Sequence, residues 1–127
     1  MSSNVTQITP VLPVTCVKSA IDWYERMLGF ESIFINRDDE DTTGKSWTYA
    51  LLDGGGVSIH LCRVVPDDAT LNSPTNIYVM VSNVRDLHAR LQAADANVTE
   101  LQEMPWESLE CWRHDLDGNR IVLSDNG

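Results

Sequence analysis

Apolar residues recur at helical spacing in two segments of the chain. The positions are Ala20, Tyr24 and Met27 in the first segment and Leu87, Leu91 and Ala94 in the second. Spacing of i, i+4 and i+7 places such residues on one face of a helix, where they can pack against a core. Gly29 follows the first segment, and glycine commonly ends a helix. The pattern predicts a first helix over 17–27 and a second helix that carries positions 87, 91 and 94 on its apolar face.

Short apolar and alternating stretches predict eight strands around the two helices. The predicted strands are 8–14, 30–36, 46–52 and 57–64 in the first half and 76–81, 98–101, 109–114 and 120–124 in the second. In the second strand, alternation is expected to place Glu31, Ile33 and Ile35 on one face and Ser32, Phe34 and Asn36 on the other. Glycine-containing hairpin turns are predicted at 53–56 and 117–119.

The second half of the chain partly repeats the first. Residues 17–24 align with 84–91, and positions 53, 56, 59 and 61 align with 115, 118, 121 and 123. Each half is therefore predicted to fold as βαβββ, in modules over 7–65 and 75–125 of a single domain that spans 1–127. A linker over 65–74, rich in Asp, Pro, Ser and Asn, joins them. Helices beside antiparallel strands make the fold class α+β, and function is expected in a groove between the two copies.

Charge and cysteine content exclude several classes of function. The formal net charge of −10 argues against nucleic-acid binding, which requires clustered Lys and Arg, but it is compatible with a cationic ligand. Three cysteines, an odd number without metal-finger spacing, indicate reduced thiols and a cytoplasmic location. The first residues lack the features of a secretory signal, and no apolar run has the length of a membrane helix. We therefore expect neither nucleic acid nor a membrane as a partner.

Three stretches of the chain carry more specific motifs. The stretch from Pro13 to Phe30 joins a strand to a helix and ends in Leu-Gly-Phe, and 76–91 begins the second module in a similar way. The stretch 114–120 is close to an Asp-Pro-Asp-Gly-Asn turn, with Leu116 in place of the proline. Together these motifs resemble the vicinal oxygen chelate superfamily of glyoxalase I, extradiol dioxygenases, and fosfomycin- and bleomycin-resistance proteins. The resemblance implies two βαβββ modules with curved mixed sheets that form a cleft.

Three shorter motifs resemble the bleomycin-resistance branch of this superfamily. They are Pro-Val-Leu at 10–12, Val-Pro-Asp at 65–67 and Pro-Trp at 105–106. The resemblance implies a homodimer whose groove is lined by aromatic side chains that bind planar groups, and the acidic surface suits a cationic antibiotic. Fold alone does not fix function, because the superfamily contains both enzymes and binding proteins.

Aromatic residues concentrate in the predicted strands and on their approaches. With neighbouring polar side chains, they form the expected ligand-binding set: Trp47, Tyr49, His60, Cys62, Asn76, Tyr78, Trp106 and Trp112. Glu103, Glu107 or Glu110 is expected near the rim, where a carboxylate can attract a cationic ligand. Stacking on rings and cation–π contacts are the interactions that such a site would provide.

The resemblance also allows a test for a metal centre, because enzymes of the superfamily hold a divalent metal with His and Glu side chains from four strands. In this sequence the corresponding positions fall on Thr9, His60, Asn76 and Val122. Only His60 is a good ligand, and a catalytic metal site needs about three protein ligands. We therefore expect no metal, no other cofactor and no catalytic residues.

Two functions remain open on the sequence. The first is a metal-independent binding protein of the bleomycin-resistance type, which sequesters an antibiotic or an unrelated metabolite in an aromatic-lined groove. The alternative is a metal-dependent glyoxalase- or dioxygenase-like enzyme with a non-standard site around His60. Cys62 is two residues from His60 in the same strand, so a thiol–imidazole pair on one face is a further possibility.

Overall fold

The computed structural model describes residues 4–64, 75–94 and 97–125. Its elements are β1 (Val11–Val14), α1 (Val17–Leu28), β2 (Glu31–Asn36), β3 (Tyr49–Asp53), β4 (Ser58–Arg63), β5 (Asn76–Met80), α2 (Val84–Ala94), β6 (Gln102–Glu103), β7 (Leu109–His114) and β8 (Arg120–Asp125). The chain divides into two compact units, 1–73 and 74–127. Each unit has the predicted order βαβββ, and the α+β class is confirmed. Within the described ranges, neither helix has the length and apolar character to cross a membrane.

Each unit contains one four-stranded mixed sheet, and the two sheets have equivalent strand orders. The order is β1-β4-β3-β2 in unit one and β5-β8-β7-β6 in unit two. The first strand of each unit runs parallel to the last, and the remaining neighbours are antiparallel. The helix and hairpin between the first and last strands provide the long connection that parallel pairing requires.

In unit one, α1 packs its apolar face against one face of the sheet. The buried helix residues are Val17, Ala20, Ile21, Trp23, Tyr24 and Met27, and the buried strand residues include Leu12, Ala50, Leu52, Ile59 and Leu61. Gly29 ends the helix as predicted, with a left-handed φ of 74° and its N–H donating to the Glu25 carbonyl oxygen at 3.1 Å. The 53–56 turn is also confirmed, since the Gly54 N–H donates to the Val57 carbonyl oxygen at 2.8 Å.

In unit two, a buried polar turn between β7 and β8 is hydrogen-bonded to the residue that precedes β5. Asn119, between β7 and β8, is fully buried. Its Nδ2 donates to Asp115 Oδ2 at 2.9 Å, and its Oδ1 accepts the Thr75 N–H at 2.8 Å. Because Thr75 directly precedes β5, one side chain joins two segments that are 44 residues apart in sequence.

The apolar face of α2 differs from the prediction in one position. Val84, Leu87, His88 and Leu91 are buried, whereas Ala94 at the end of the helix is exposed. The His88 ring is held by its Nε2–H, which donates to the Thr99 carbonyl oxygen at 2.8 Å. The prediction for Ala94 is wrong because the helix ends there, while His88 is buried because its polar atom finds a backbone acceptor.

The alternation predicted for β2 is also wrong. The register shifts between Ser32 and Phe34, so that Ser32 pairs with Leu52 and Phe34 pairs with Leu51. Such a β-bulge places two residues opposite one and changes which face the following side chains occupy. Glu31 and Ile35 therefore lie on opposite faces of the sheet instead of on one.

Several strand ends differ from the predicted bounds. β1 begins at Val11 instead of 8, because Pro10 has no N–H for the ladder and Ile8 is 87% exposed. β6 covers only 102–103 instead of 98–101. Thr99 explains this difference, since its Oγ1 replaces a backbone acceptor and takes the Trp112 N–H at 2.8 Å. The predicted linker over 65–74 lies outside the described residues.

Candidate functional site

The face of each sheet that points away from the helix of its own unit is called here the helix-free face. In unit one, strand register places Tyr49 opposite Cys62, and places His60 opposite Val11 and Leu51. Side chains of register partners point to the same side of a sheet, and successive residues alternate. Tyr49, His60 and Cys62 are therefore brought together on the helix-free face of unit one, opposite the buried Leu61.

Tyr49 and His60 form a polar pair on this face. The Tyr49 hydroxyl lies 2.8 Å from His60 Nδ1, and the two rings meet edge to face with centroids 5.3 Å apart. Burial, together with the charge of a Cys62 thiolate, raises the pKa of Tyr49 above its ordinary value. The phenol therefore stays neutral near pH 7. The Cys62 thiol points to the backbone oxygen of Arg63, at 3.8 Å, so the bonded partner of His60 is the phenol.

In unit two, the helix-free face carries aromatic and polar side chains in adjacent rows. Tyr78 and Trp112 are the two register partners of Val122, and Asn76 is a register partner of Arg120. Tyr78 is 52% exposed and Trp112 is half-buried. The structure thus brings Asn76, Tyr78 and Trp112 onto one surface, as a ligand site would require.

Glu110 is the hydrogen-bonding centre of this face. Its side chain is only 5% exposed, and its Oε2 accepts four hydrogen bonds. The donors are the Tyr78 hydroxyl, Ser108 Oγ at 2.8 Å, Ser124 Oγ at 3.1 Å and Trp106 Nε1 at 3.2 Å. All four bonds use one oxygen, so Oε1 keeps its capacity to accept.

Glu110 remains ionised although it is buried. Burial by itself raises the pKa of a carboxyl group, because the charged form loses hydration. The four hydrogen bonds outweigh that effect and lower the pKa of Glu110 below its ordinary value of 4.5. At neutral pH the helix-free face of unit two therefore contains a fixed negative charge among aromatic rings. Glu110 is not a rim residue, as the sequence had led us to expect, but the buried centre of the cluster.

Trp106 joins this cluster from outside the strands. Its ring is 62% exposed, and its Nε1–H is held by Glu110. The expected ligand-binding residue Trp106 is therefore next to Tyr78, with the same carboxylate oxygen between them.

Trp47 lies apart from the helix-free face. Its ring is 7% exposed, and its Nε1–H donates to the Asp41 carbonyl oxygen at 2.8 Å. Arg37 and Lys18 cover the ring, at 5.1 Å and 5.9 Å from its centroid. Asp41 shapes this loop by accepting hydrogen bonds from Thr43 and Ser46, which also hold the pKa of Asp41 far below its ordinary value. The structure thus gives Trp47 packing contacts with the 37–47 loop and α1.

The four positions that correspond to the superfamily's metal ligands do not provide a matching set of donors. His60 offers an imidazole, but its Nδ1 is bonded to Tyr49, and Val122 has a hydrocarbon side chain. Thr9 accepts a hydrogen bond from Gln7 at 2.9 Å. Across residues 4–64, 75–94 and 97–125, no three His, Cys, Asp or Glu side chains form a group that could hold a metal ion. The residues present therefore do not fit the metal centre that enzymes of the superfamily use.

A cavity of 460 Å³ lies at one end of unit two, between the start of α2 and the β6–β7 connection. Leu109 and Asp125, which line it, are register partners one residue away from Glu110 and Ser124. They therefore point to the helix-packed side of the sheet. Asp125 Oδ2 accepts the Val84 N–H at 3.1 Å and so fixes the first turn of α2. The cavity is separate from the Glu110 cluster except for Ser108, which borders both.

Sequence reasoning did not single out Arg120 and placed Glu110 only among three rim residues. A local signal for Glu110 exists, because it follows Ser108 and Trp106 at spacings of two and four and precedes Trp112 by two. Residues two apart in a strand share a face, so a Ser-x-Glu-x-Trp pattern predicts that Ser108, Glu110 and Trp112 lie together. Arg120 has no comparable signal, because its contact with Trp112 depends on strand pairing.

Comparisons with known proteins agree with this fold. A family model described as "Glyoxalase/Bleomycin resistance protein/Dioxygenase superfamily" matches residues 6–123. No curated protein gives a significant match. Among solved structures, TioX from Micromonospora sp. ML1 is 24% identical with a TM-score of 0.72, over 96% of this chain and 97% of that one.

Two further structures represent a binder and an enzyme. A bleomycin-binding protein complexed with bleomycin is 19% identical with a TM-score of 0.71, over 97% of this chain and 100% of that one. A lactoylglutathione lyase from Agrobacterium tumefaciens is 13% identical with a TM-score of 0.73, over 97% of this chain and 96% of that one. At these identities the likeness shows the fold alone. The family match covers nearly the whole chain, and the protein therefore belongs to the Glyoxalase/Bleomycin resistance protein/Dioxygenase superfamily.

Proposed function

We propose that this protein is a metal-independent small-molecule binding protein of the bleomycin-resistance type. Its ligand has a flat aromatic part and a cationic group, and it binds on the helix-free face of unit two. The observation that supports this most strongly is Glu110, a buried and ionised carboxylate surrounded by Tyr78, Trp106 and Trp112.

The arrangement suits a cation for electrostatic reasons. A carboxylate removed from bulk water interacts more strongly with an opposite charge than an exposed one does. Its Oε1 can accept a hydrogen bond from an ammonium or guanidinium group, and charge-assisted bonds of this kind are stronger than neutral ones. Exposed Tyr78 and Trp106 lie beside the carboxylate, and each cation–π contact that the bound group makes with such a ring adds about 0.5–2 kcal/mol. These contacts total at most about 7 kcal/mol, and a micromolar Kd corresponds to about 8.2 kcal/mol, so burial of the ligand's flat aromatic part must supply the rest.

The similar structures support binding, but they keep an enzyme as the second candidate. One similar structure is a bleomycin-binding protein with its ligand, which favours bleomycin as the first compound to test. Another is a lactoylglutathione lyase, so the fold also hosts enzymes. The donor set at the four metal positions favours the binding protein, because a valine stands where a ligand is needed.

Calorimetric titration tests the proposal directly. Bleomycin and benzamidine, a small aromatic cation, are titrated into the protein, with toluene sulfonate as an aromatic anion of similar size. We expect saturable binding of at least one of the two cationic compounds and weaker binding of the anion. No binding of either cation at millimolar concentration contradicts the proposal.

The enzyme alternative makes a distinct prediction about metal retention. The protein is dialysed against Mn²⁺, Ni²⁺, Zn²⁺ and Fe²⁺ and then analysed by mass spectrometry of the metals. We expect far less than one ion per chain, because His60 alone cannot hold an ion that needs about three protein ligands. Stoichiometric retention that is lost in His60→Ala, with His88→Ala as the control, would establish the enzyme alternative instead.

We also propose that the protein is a cytoplasmic homodimer. Support for the compartment comes from Cys16, Cys62 and Cys111, none of which forms a disulfide. Support for the dimer comes from family membership and from exposed apolar side chains on strands, among them Phe34, Tyr78 and Met80. Light scattering at micromolar concentration is expected to give twice the chain mass of 14.2 kDa. The mass of a single chain under these conditions contradicts the dimer.

A further inference from the structure

A second charged group lies on the same face as Glu110. Arg120 is the first residue of β8, and its register partners are Asn76 in β5 and His114 in β7. Its guanidinium carbon lies 4.6 Å from the centroid of the Trp112 ring. Asn76, Trp112 and His114 all belong to the helix-free face of unit two, so the guanidinium does as well.

Trp112 holds the guanidinium in a defined place. The Trp112 ring is half-buried and is met edge-on by the His114 ring, with centroids 5.2 Å apart. The N–H donors of a guanidinium lie in its own plane. A guanidinium that stacks on an indole therefore keeps these donors at its edge, where an acceptor can reach them. Little side-chain freedom then remains to be lost when a ligand binds, which favours affinity.

The donors of Arg120 are not used by the residues that the structure describes. Among residues 4–64, 75–94 and 97–125, no ion pair and no side-chain hydrogen bond involves the Arg120 guanidinium. The chain has 19 acidic residues and 9 Lys and Arg residues, and yet no acidic side chain in the described ranges pairs with Arg120.

The two cations that lie over Trp47 differ from Arg120 in how their hydrogen-bond donors are used. Arg37 stacks on Trp47 and donates to the Asp41 carbonyl oxygen at 3.2 Å. Lys18 does the same with the Thr42 carbonyl oxygen at 2.7 Å. Both cations use their donors to fix a loop, whereas Arg120 is stacked with its donors still available. Arg120 therefore differs from both in having donors that remain available to a ligand.

We propose that Arg120, stacked on Trp112, is a subsite for a carboxylate group, so that the ligand of this face carries both a carboxylate and a cation. The planar fork of a guanidinium matches a carboxylate through two parallel hydrogen bonds. A single arginine in a chain of net charge −10 favours a monoanion over a more highly charged phosphate. This inference rests on the proposed function, because Glu110 supplies the second subsite.

Strand geometry sets the size of such a ligand. Glu110 and Trp112 are two residues apart in β7, which corresponds to about 7 Å along the strand. Arg120 is the register partner of His114, a further two residues along, and its guanidinium reaches back over Trp112. The two charges of the ligand are therefore expected to be separated by about 7–13 Å, the length of one or two aromatic rings with short substituents.

The experiment compares matched probes by calorimetry. They are 4-(aminomethyl)benzoate, its two-ring analogue 4′-(aminomethyl)biphenyl-4-carboxylate, benzylamine, which lacks the carboxylate, and benzoate, which lacks the amine. We expect the better of the two doubly charged probes to bind about 10-fold more tightly than benzylamine, since a charge-assisted bidentate contact is added. Benzylamine binding as tightly as both doubly charged probes would overturn the proposal.

Variants at position 120 test whether Arg120 causes the tighter binding of the doubly charged probes. Arg120→Gln is expected to remove the 10-fold advantage of the doubly charged probe over benzylamine. Arg120→Lys, which keeps the charge without the fork, is expected to retain only part of that advantage. Arg85→Gln, an exposed arginine of α2, is the matched control and is expected to have no effect. Thermal unfolding of Arg120→Gln and Arg120→Lys checks that both variants are folded.

The probes also separate this proposal from the proposed function. If benzoate binds to the parent protein and not to Arg120→Gln, the carboxylate subsite is supported. If benzylamine does not bind in the same experiment, the cation site proposed at Glu110 is contradicted. Benzylamine binding together with a carboxylate effect that Arg120→Gln does not change overturns the subsite and leaves the proposed function intact. Failure of all four probes overturns the carboxylate subsite, and the titration of bleomycin and benzamidine then decides the proposed function.

Discussion

Glu110→Gln is expected to weaken the binding of benzamidine by about 10- to 100-fold, the equivalent of the 1.5–3 kcal/mol of a hydrogen bond to a charged group. The substitution keeps the shape of the side chain and an oxygen that can accept from Tyr78 and Ser108. It removes the negative charge and replaces Oε1, which none of the four hydrogen bonds uses, with an NH₂ group. A cation then meets a donor instead of an acceptor, and calorimetric titration measures the loss.

Glu107→Gln is the matched control for this experiment. Glu107 is an exposed residue in the β6–β7 connection, so removal of its charge is expected to change affinity by less than about twofold. Both variants are compared with the parent protein by circular dichroism to confirm that they are folded. An equal loss of affinity in the two variants would show that general surface charge, and not the Glu110 cluster, attracts the cation.

The pH dependence of benzamidine binding is a second test of the role of the Glu110 carboxylate. The hydrogen bonds to Glu110 hold its pKa below the ordinary value of 4.5, so affinity is expected to stay constant from neutral pH down to that value and to fall only below it. The contribution of Glu110 to the free energy of unfolding is expected to fall at low pH as well. A lowered folded-state pKa means that ionised Glu110 stabilises the fold above its unfolded-state pKa, and this contribution is lost as pH falls through the folded-state pKa. A loss of affinity that begins well above pH 4.5 contradicts the lowered pKa.

Asn119→Ala is expected to lower the free energy of unfolding by about 2–4 kcal/mol, since it leaves two groups without their partner, each at a cost of about 1–3 kcal/mol. Asn119 is fully buried, and its amide bonds both Asp115 Oδ2 and the Thr75 N–H. The alanine variant leaves a buried carboxylate oxygen and a backbone N–H without these bonds. Urea unfolding followed by circular dichroism measures the change.

Asn36→Ala provides the comparison, because it is the same substitution at an exposed asparagine. Asn36 Nδ2 donates to Thr48 Oγ1 at 2.9 Å, but water can replace that bond. We expect a loss of less than about 1 kcal/mol there. If Asn119→Ala is no more destabilising than Asn36→Ala, the buried turn does not have the structural role assigned to it.

Most of the fold could be predicted because its signals are local. The i, i+4, i+7 spacing in 17–27 requires only that one helix face be buried, and Gly29 ends the helix through its own backbone conformation. The β2 bulge and the shortening of β6 could not be predicted in this way. They depend on a neighbouring strand, as the Thr99 contact with Trp112 shows.

The candidate site was predictable only in part. Tyr49, His60 and Cys62 could be grouped because residues two apart in a strand share a face, and the hairpin pairs Tyr49 with Cys62. Trp47 shows the limit of that reasoning. It lies two residues before Tyr49, but it precedes β3, so strand alternation does not govern its side chain, and the 37–47 loop and Lys18 cover it instead.

By itself, the sequence determined the class of the fold, the order of its elements, the family resemblance and the poor set of metal donors. Each of these depends on residue type or on spacing within one segment. Only the tertiary structure decided that Glu110 is a buried anion and that Arg120 lies on Trp112. The hydrogen-bond donors to Glu110 come from β5, β8 and the β6–β7 connection, and the Arg120 contact joins two strands. Desolvation and charge at such a position depend on which strands become neighbours, and no single segment of the sequence contains that information.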